Sequence, residues 1–431
     1  MRQRKAEAWA KWRRTDLSSR CDILGKLAAA LEGAAPELAK QMSFEIGKPL
    51  SHGLEEVRRA AANVRDVTLR AGIFQFQKRE SVGTIRFESL GVVALISPWN
   101  NPVAIPIGKI APALVYGNAV VWKPAPAATR ISTIVLKLLR NSGVPQHAVQ
   151  ILTGDHTTAQ ALAFDKIINA VTITSSAQAG FAIQEICARR FVPLQAELNG
   201  NNAAIVWDDA DLAEAASAIT NGAFGFAGQR CTANRRVIVN TRIATKFASE
   251  LKRAAEKLVW GDPANKGTQI GPVINAQKRD EHAAIILAAK NSGALRQVEY
   301  LFSKQAQEPW VTRGAYTQPV IAWCDAPEHP LVQEETMSPL LVVTRAKDFD
   351  EALRLSNGVR HGLVAALFSD SSDLQEKFLD EAQAGILKLN TSTAGVDVRL
   401  PFGGWKASAI GPPEHGESDP LFYTRAQAIY E

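Results

Sequence analysis

Apolar positions recur with two different periods along the 431 residues of the chain. Near the N-terminus, Leu17, Cys21, Leu24, Ala28 and Leu31 return at three- and four-residue steps, the apolar stripe of a helix. Pro36 suits the first turn of a second helix carrying Leu38, Met42 and Ile46, and Gly47 and Pro49 stop it. From Gly91 onward the pattern shortens. VVALIS (92–97), AVVWK (119–123), VQIL (149–152), AVTIT (170–174) and AAIVW (203–207) are compact runs rich in Val and Ile. Helical stretches such as 129–142 and 177–188 lie between them. Strands alternating with helices predict βαβ units and a mostly parallel, doubly wound sheet. A second alternation follows. It runs through RVIV (236–239), helices near 243–258 and 275–291, LLVVT (340–344), a helix near 348–356, LVAALFS (363–369), a helix at 371–383 and GILKLN (385–390). The expected fold is α/β, with two doubly wound domains that divide near Asn199–Asn202. FQFQKRESVGTIRFE (74–88) and LFYTRAQAIY (421–430) fall outside this scheme. Their strand-rich composition predicts strands that protrude from the body, available to another subunit.

With 46% hydrophobic and 21% charged residues, the chain can bury a sizeable core and is not of disordered composition. Its net charge of +6 is spread along the sequence. The densest basic cluster, Arg2, Arg4, Lys5, Lys11, Arg13 and Arg14, reads as a solvated helix face, so neither nucleic acid nor a membrane is an expected partner. No apolar run is long enough for a membrane span, and the N-terminus lacks an h-region and a cleavage site. Cys21, Cys187, Cys231 and Cys324 are unpaired by spacing, which fits a reducing cytoplasm. There the sequon at Asn390-Thr391-Ser392 is idle. GxGxxG after a strand, GxxxxGK[ST], GxSxG and the His and Cys spacings of zinc sites are all missing, so no metal site is expected.

Five stretches carry candidate chemistry. FAGQRCTANRR (226–236) places Cys231 after a turn-prone Ala227-Gly228 pair. A lone cysteine is more often a small buried hydrophobe; it becomes a nucleophile where charge or a helix end lowers its pKa. Ser97-Pro98-Trp99-Asn100-Asn101-Pro102 follows a strand, where ligands bind in open α/β sheets. It is either an ordinary turn or a rigid loop presenting an amide donor. Lys123 ends the next strand, either solvated or donating to a ribose or phosphate. Thr174-Ser175-Ser176 runs into a helix, as a simple cap or as a phosphate cradle. Glu197-Leu198-Asn199-Gly200 offers a carboxylate, either a structural charge or a general base.

Together these stretches resemble the aldehyde dehydrogenase superfamily, from about residue 6 to the C-terminus. The family's Pro-Trp-Asn stands at Pro98-Trp99-Asn100 and its Lys-Pro at Lys123-Pro124. Its Glu-Leu-Gly-Gly stands at Glu197-Leu198-Asn199-Gly200, and its Gly-Gln-x-Cys at Gly228-Gln229-Arg230-Cys231, 34 residues after the glutamate. Gly261-Asp262-Pro263, Gly271-Pro272, Glu334-Glu335, Asn390 and Pro401-Phe402-Gly403-Gly404-Trp405-Lys406-x-Ser408 follow in order. The resemblance implies Cys231 as nucleophile, Asn100 as oxyanion donor and Glu197 as the base of deacylation. It implies NAD or NADP as cofactor, held by Pro98, Trp99, Lys123, Ser175, Ser176, Gly180, Leu198 and Glu335. It implies a dinucleotide-binding domain over 1–73 and 89–198, a catalytic domain over 199–418, and an oligomerisation segment over 74–88 and 419–431 of a homodimer or homotetramer.

Departures concentrate on the cofactor side. Pro126 stands where the family has a glutamate, Thr174-Ser175-Ser176 replaces Thr-Gly-Ser, and Gln160 stands where a glycine is usual. Asn199 replaces a glycine, Met337-Ser338 replaces Phe-Gly, and Ala409 replaces a glycine. The chain also starts late relative to the family, just before the Ala6-Glu7-Ala8-Trp9 helix, so Met1 reads as an internal or misassigned start. The expected activity is oxidation of a small aldehyde to its acid through a thiohemiacetal and a thioester. A non-catalytic, cofactor-poor member kept for oligomerisation or partner binding is the alternative. Acyl transfer to coenzyme A is disfavoured by Glu197. The substrate pocket is expected around Asn101, Phe224, Arg230, Thr232 and the 391–402 loop, with Arg230 either favouring an acidic semialdehyde or forming a structural ion pair.

Overall fold

A computed structural model describes residues 9–430, with 312 and 313 described by their backbone alone. Ala6, Glu7 and Ala8, and Arg2, Arg4 and Lys5 of the basic cluster, lie outside the described residues. Two large sheets carry the chain. The first has six strands in the order Ala409–Ile410, Leu194–Glu197, Ala170–Thr174, Val92–Ile96, Ala119–Lys123, Val149–Ile151. All are parallel except the short Ala409–Ile410. Val92–Ile96, Ala119–Lys123 and Ala170–Thr174 are buried throughout, which is why they read as unbroken apolar runs. The second sheet has seven strands in the order Leu295–Tyr300, Val320–Cys324, Leu340–Ala346, Asn234–Asn240, Asn202–Val206, Val364–Phe368, Ile386–Leu389. Only Leu295–Tyr300 runs antiparallel to its neighbour.

Register gathers the candidate residues. Ile96 lies beside Lys123 and Ile173, and Thr174 beside Glu197. Ser97–Asn101, Ser175–Ser176 and Leu198–Asn199 therefore leave the first sheet at one edge. The chain builds outward from Val92–Ile96 to Val149–Ile151, then returns to the other side with Ala170–Thr174. Loops after the two strands flanking this reversal part from each other and leave a crevice.

Several elements carry little sequence signal. The helix Ala104–Val115 contains Pro112 and is buried almost all round, so its apolar residues show no stripe. The 24-residue helix Leu50–Ile73 buries Val57, Ala60, Ala61, Val64 and Val67. Leu194–Glu197 reads LQAE, and only its place between strands makes it one. The two outlying segments pair with each other within this chain. Gln77–Glu80, Gly83–Ser89 and Thr424–Tyr430 form an antiparallel sheet of three strands. Only Thr424–Tyr430 of the C-terminal stretch is strand, because Asp419–Tyr423 is a short helix. No helix among the described residues is long and apolar enough to cross a membrane.

Candidate active site

The helix Leu212–Phe224 ends at Gly225, and the chain turns through Phe226, Ala227 and Gly228 at φ 53°, 52° and 68° before reaching Cys231. Two non-glycine residues in the left-handed region cost about 1–3 kcal/mol each, so neighbours must hold the turn. Gln229 does so: its amide donates to the carbonyls of Phe226 (3.2 Å) and Pro272 (3.1 Å) and accepts from Ile274 N–H (2.8 Å). Asn202 donates to the carbonyls of Cys231 (2.7 Å) and Ala233 (2.9 Å). A Cβ on Gly228 would lie 2.4 Å from the Ser338 carbonyl, and one on Gly200 2.4 Å from the Cys231 carbonyl. Backbone packing, rather than substrate approach, requires both glycines. The supporting roles of Gln229, which the Gly-Gln-x-Cys match includes without assigning one, and of Asn202 escaped the sequence reading because amides near turns are unremarkable.

Cys231 is half-buried and faces two cavities. One is lined by Asn101, Arg230, Thr232, Val396, Val398 and Phe402, as expected, and also by Lys48, His52, Arg59, Phe226 and Glu414. The expected Phe224 is fully buried in the core packed on the seven-stranded sheet; Phe226 takes its place because of the left-handed turn. The other cavity occupies the crevice of the first sheet. Pro98, Trp99, Asn100, Ser175, Ser176, Leu198 and Glu335 line it together with Cys231 and Asn199. Gly180 and Lys123 do not line it. Gly180 lets its helix pack on Leu198, whose Cδ2 would be 2.3 Å from a Cβ there. Lys123 is buried at its strand end, and burial lowers its pKa while Asp155 opposes the shift.

Asn100 is buried, and its Nδ2 donates one hydrogen to the Gln229 carbonyl at 3.0 Å, leaving the second. Its loop is fixed from beneath. Lys48 Nζ donates to the Asn100 carbonyl and to Asn101 Oδ1, both at 2.8 Å, and to Glu56. The other oxygen of Glu56 accepts from the N–H groups of Val103 (2.8 Å) and Ala104 (3.0 Å), where the next helix starts. Lys48 and Glu56 are 2% and 1% exposed, so this is a buried ion pair inside the support of the 97–102 loop.

Burial pushes the Cys231 thiol up to about 12; Glu335 and Glu197 add to the rise, and Arg235 and Arg59 oppose it. The expected lowering by local charge does not occur in this state. Glu197 ends the strand Leu194–Glu197 and is 2% exposed. Burial first, and Glu414 next, raise its carboxyl well above the ordinary range, while Lys109 pulls it down. Neither oxygen has a well-aligned hydrogen bond, although the Gly404 amide is near enough to favour the anion. Glu197 is not among the residues lining either cavity; its carboxyl lies against Gly403, 3.3 Å from where a Cβ there would be. Behind it, fully buried Lys109 pairs with Glu414 and donates to Thr172 Oγ1 at 2.8 Å. Among the described residues, no group of three or more His, Cys, Asp or Glu is arranged to hold a metal ion.

The crevice's donor set suits a dinucleotide. The helix Ala177–Arg190 opens into it with Ser176 as cap, a source of N–H groups for phosphate. Glu335, its side chain 5% exposed, supplies acceptors for ribose hydroxyls. These features define a cysteine-centred α/β oxidoreductase site at a sheet switch point. The aldehyde dehydrogenase family model matches residues 2–429, and the chain belongs to that family. It is 33% identical over 430 residues to alpha-ketoglutaric semialdehyde dehydrogenase of Bacillus subtilis, covering 98% of this chain and 88% of that protein. It is 32% identical to N-succinylglutamate 5-semialdehyde dehydrogenase of Novosphingobium aromaticivorans, over 93% of this chain and 85% of that one. An aldehyde dehydrogenase C mutant from Pseudomonas syringae, solved with NAD+ and octanal, superposes with a TM-score of 0.93 at 27% identity, covering 100% of this chain and 87% of that one.

Proposed function

We propose that the chain oxidises a small acidic aldehyde to its carboxylic acid with NAD or NADP. The observation that carries this reading is the position of Cys231 between two cavities, one with the donor set for a dinucleotide and the other lined by Arg59 and Arg230. Cys231 gives up its thiol proton to water and adds through Sγ as the thiolate to the aldehyde carbon, and the oxyanion is held by the free Asn100 amide hydrogen and the Cys231 backbone N–H. Such a donor is worth roughly 100- to 1000-fold in rate. A dinucleotide held in the crevice by Trp99, Ser176 and Glu335 would supply the hydride acceptor for this carbon. Glu197 then takes a proton from the water that attacks the thioester, after a side-chain rotation away from Gly403. The carbon–sulfur bond breaks and the acid leaves. Water and not coenzyme A is the acceptor, because the carboxylate base is present.

Charge balance supports the acidic substrate. Lys48 is paired with Glu56, and Lys109 with Glu414. Arg59, Arg230 and the exposed Glu55 remain on the cavity wall, a surplus of one positive charge. Arg230 is held by the carbonyls of Asn221 (3.1 Å) and Gly225 (3.4 Å), and its Nε is buried without a partner. It is a fixed fork rather than half of an ion pair. The two semialdehyde dehydrogenases above act on substrates of this kind by name. We further propose that 1–73 with 89–198 is the dinucleotide-binding domain, 199–418 the catalytic domain, and 74–88 with 419–431 the contact of a cytoplasmic homodimer or homotetramer.

The test is an aldehyde panel with each cofactor. Short semialdehydes are expected to exceed neutral aldehydes of equal length by at least about tenfold in kcat/KM, the scale of one hydrogen bond to a charged group. Cys231→Ser is expected to abolish turnover while the protein stays folded. Preference for neutral aldehydes refutes the substrate class; full turnover by Cys231→Ser refutes the mechanism.

A further inference from the structure

Asn199 spans the crevice. Its Oδ1 accepts from the backbone N–H of Ala177, the first residue of the helix Ala177–Arg190, and its Nδ2 donates to Glu335 Oε2. Glu335 Oε1 is held from the other side by Gly200 N–H at 3.2 Å and by Arg235 at 3.4 Å. One side chain thus engages two groups suited to a nucleotide. A helix N–H is suited to a phosphate and a buried carboxylate to a ribose diol. Asn199 lines the same cavity as Trp99, Ser176 and Cys231. Its backbone is outside the left-handed region and is anchored by Ser408 Oγ, which donates to the Asn199 carbonyl at 2.6 Å. The side chain can therefore be removed without strain on the main chain.

We propose that Asn199 is a latch across the dinucleotide crevice: it ties Ala177 N–H to Glu335 in the free enzyme, and the dinucleotide binds by releasing both. This rests on the dinucleotide-dependent function proposed above. Asn199 is here a positioning residue that competes with the ligand. Hydrogen bonds made only in the free state subtract from affinity, since they are lost on binding. With alanine or glycine at 199, Ala177 N–H and Glu335 stand ready, and less has to be broken.

Calorimetric titration of the full chain with NAD+ and with NADP+ tests this, alongside Asn199→Ala and Asn199→Gly and with melting curves to confirm folding. Both variants are expected to bind about tenfold tighter, the size of one to two hydrogen bonds. Dinucleotide KM should fall while aldehyde KM holds, a split that loosened packing would not produce. Unchanged affinity in both variants overturns the latch. Weaker binding in both makes Asn199 a ligand instead and overturns it too. If neither the unmodified chain nor either folded variant binds a dinucleotide, the cofactor reading itself falls and the latch with it.

Discussion

Cys231 lies between the end of the helix Leu212–Phe224 and the strand Asn234–Asn240, so it does not itself sit in the first turn of a helix, where the macrodipole favours a thiolate. Without that dipole, burial and the carboxylates of Glu335 and Glu197 outweigh Arg235, and the thiol sits at about 12. In the cofactor-free protein, alkylation of Cys231 by iodoacetamide is expected to keep rising with pH past the ordinary thiol value of about 8.5. Glu335→Gln removes a like charge and should speed alkylation at a given pH. A plateau near neutrality, read by mass spectrometry of the Cys231 peptide, would contradict this. Glu197 carries the complementary shift. In the proposed mechanism its ionised form is the base, and its pKa is raised, so deacylation-limited turnover should climb as pH rises through that pKa. Glu414→Gln deletes the second cause of the shift, and the rising limb should then move to lower pH. Movement to higher pH would show that Glu414 does not act on Glu197 electrostatically.

At the scale of elements, the Asn100 loop after Val92–Ile96 hangs on a helix that sequence alone did not single out. Lys48 and Glu56 flank the start of Leu50–Ile73 and reach across to Asn100, Asn101 and the first turn of Ala104–Val115. Breaking a buried pair leaves an uncompensated charge, at a cost of about 3–5 kcal/mol. Lys48→Met is therefore expected to lower the melting temperature markedly and to reduce kcat by loosening Asn100. Lys48→Met/Glu56→Gln, which removes both charges, should recover most of the stability. An unchanged melting temperature in the single variant would place the pair outside the fold's support. The Pro98-Trp99-Asn100 motif was legible because its residues are unusual. Lys48 was not, because a lysine beside a helix-stopping Gly47-Lys48-Pro49 turn reads as solvated until the tertiary structure buries it.

For the whole molecule, the three-stranded sheet stands apart from both large sheets, with Val82 66% and Tyr430 83% exposed. Its aromatic base, Phe74, Phe76 and Phe87 against Tyr116, fixes it to the body. Exposed apolar residues beside strand edges favour association with a second copy. Light scattering at micromolar concentration should give a dimer or tetramer, and Val82→Asp with Tyr430→Asp should shift it toward monomer. A monomeric unmodified chain would remove the oligomerisation role from this sheet.

The alternation of short apolar runs with helical stretches determined most of the α/β architecture, because buried parallel strands and amphipathic helices each leave their own period in a sequence. The rarer residues, Cys231, Asn100 and Glu197 with their flanking glycines and prolines, marked the stretches on which the proposed chemistry rests. Tertiary structure alone decided what those groups are like. The register of parallel strands brings loops 97–101, 175–176 and 198–199 to one edge. The left-handed turn at Phe226 and Ala227 exchanges Phe226 for Phe224 at the cavity wall. Burial sets the thiol and carboxyl pKa values, and the closeness of Ala177, Asn199 and Glu335 makes a latch of an asparagine. Each of these depends on distances between residues far apart in the chain, and a pattern of neighbours along the sequence does not encode such distances.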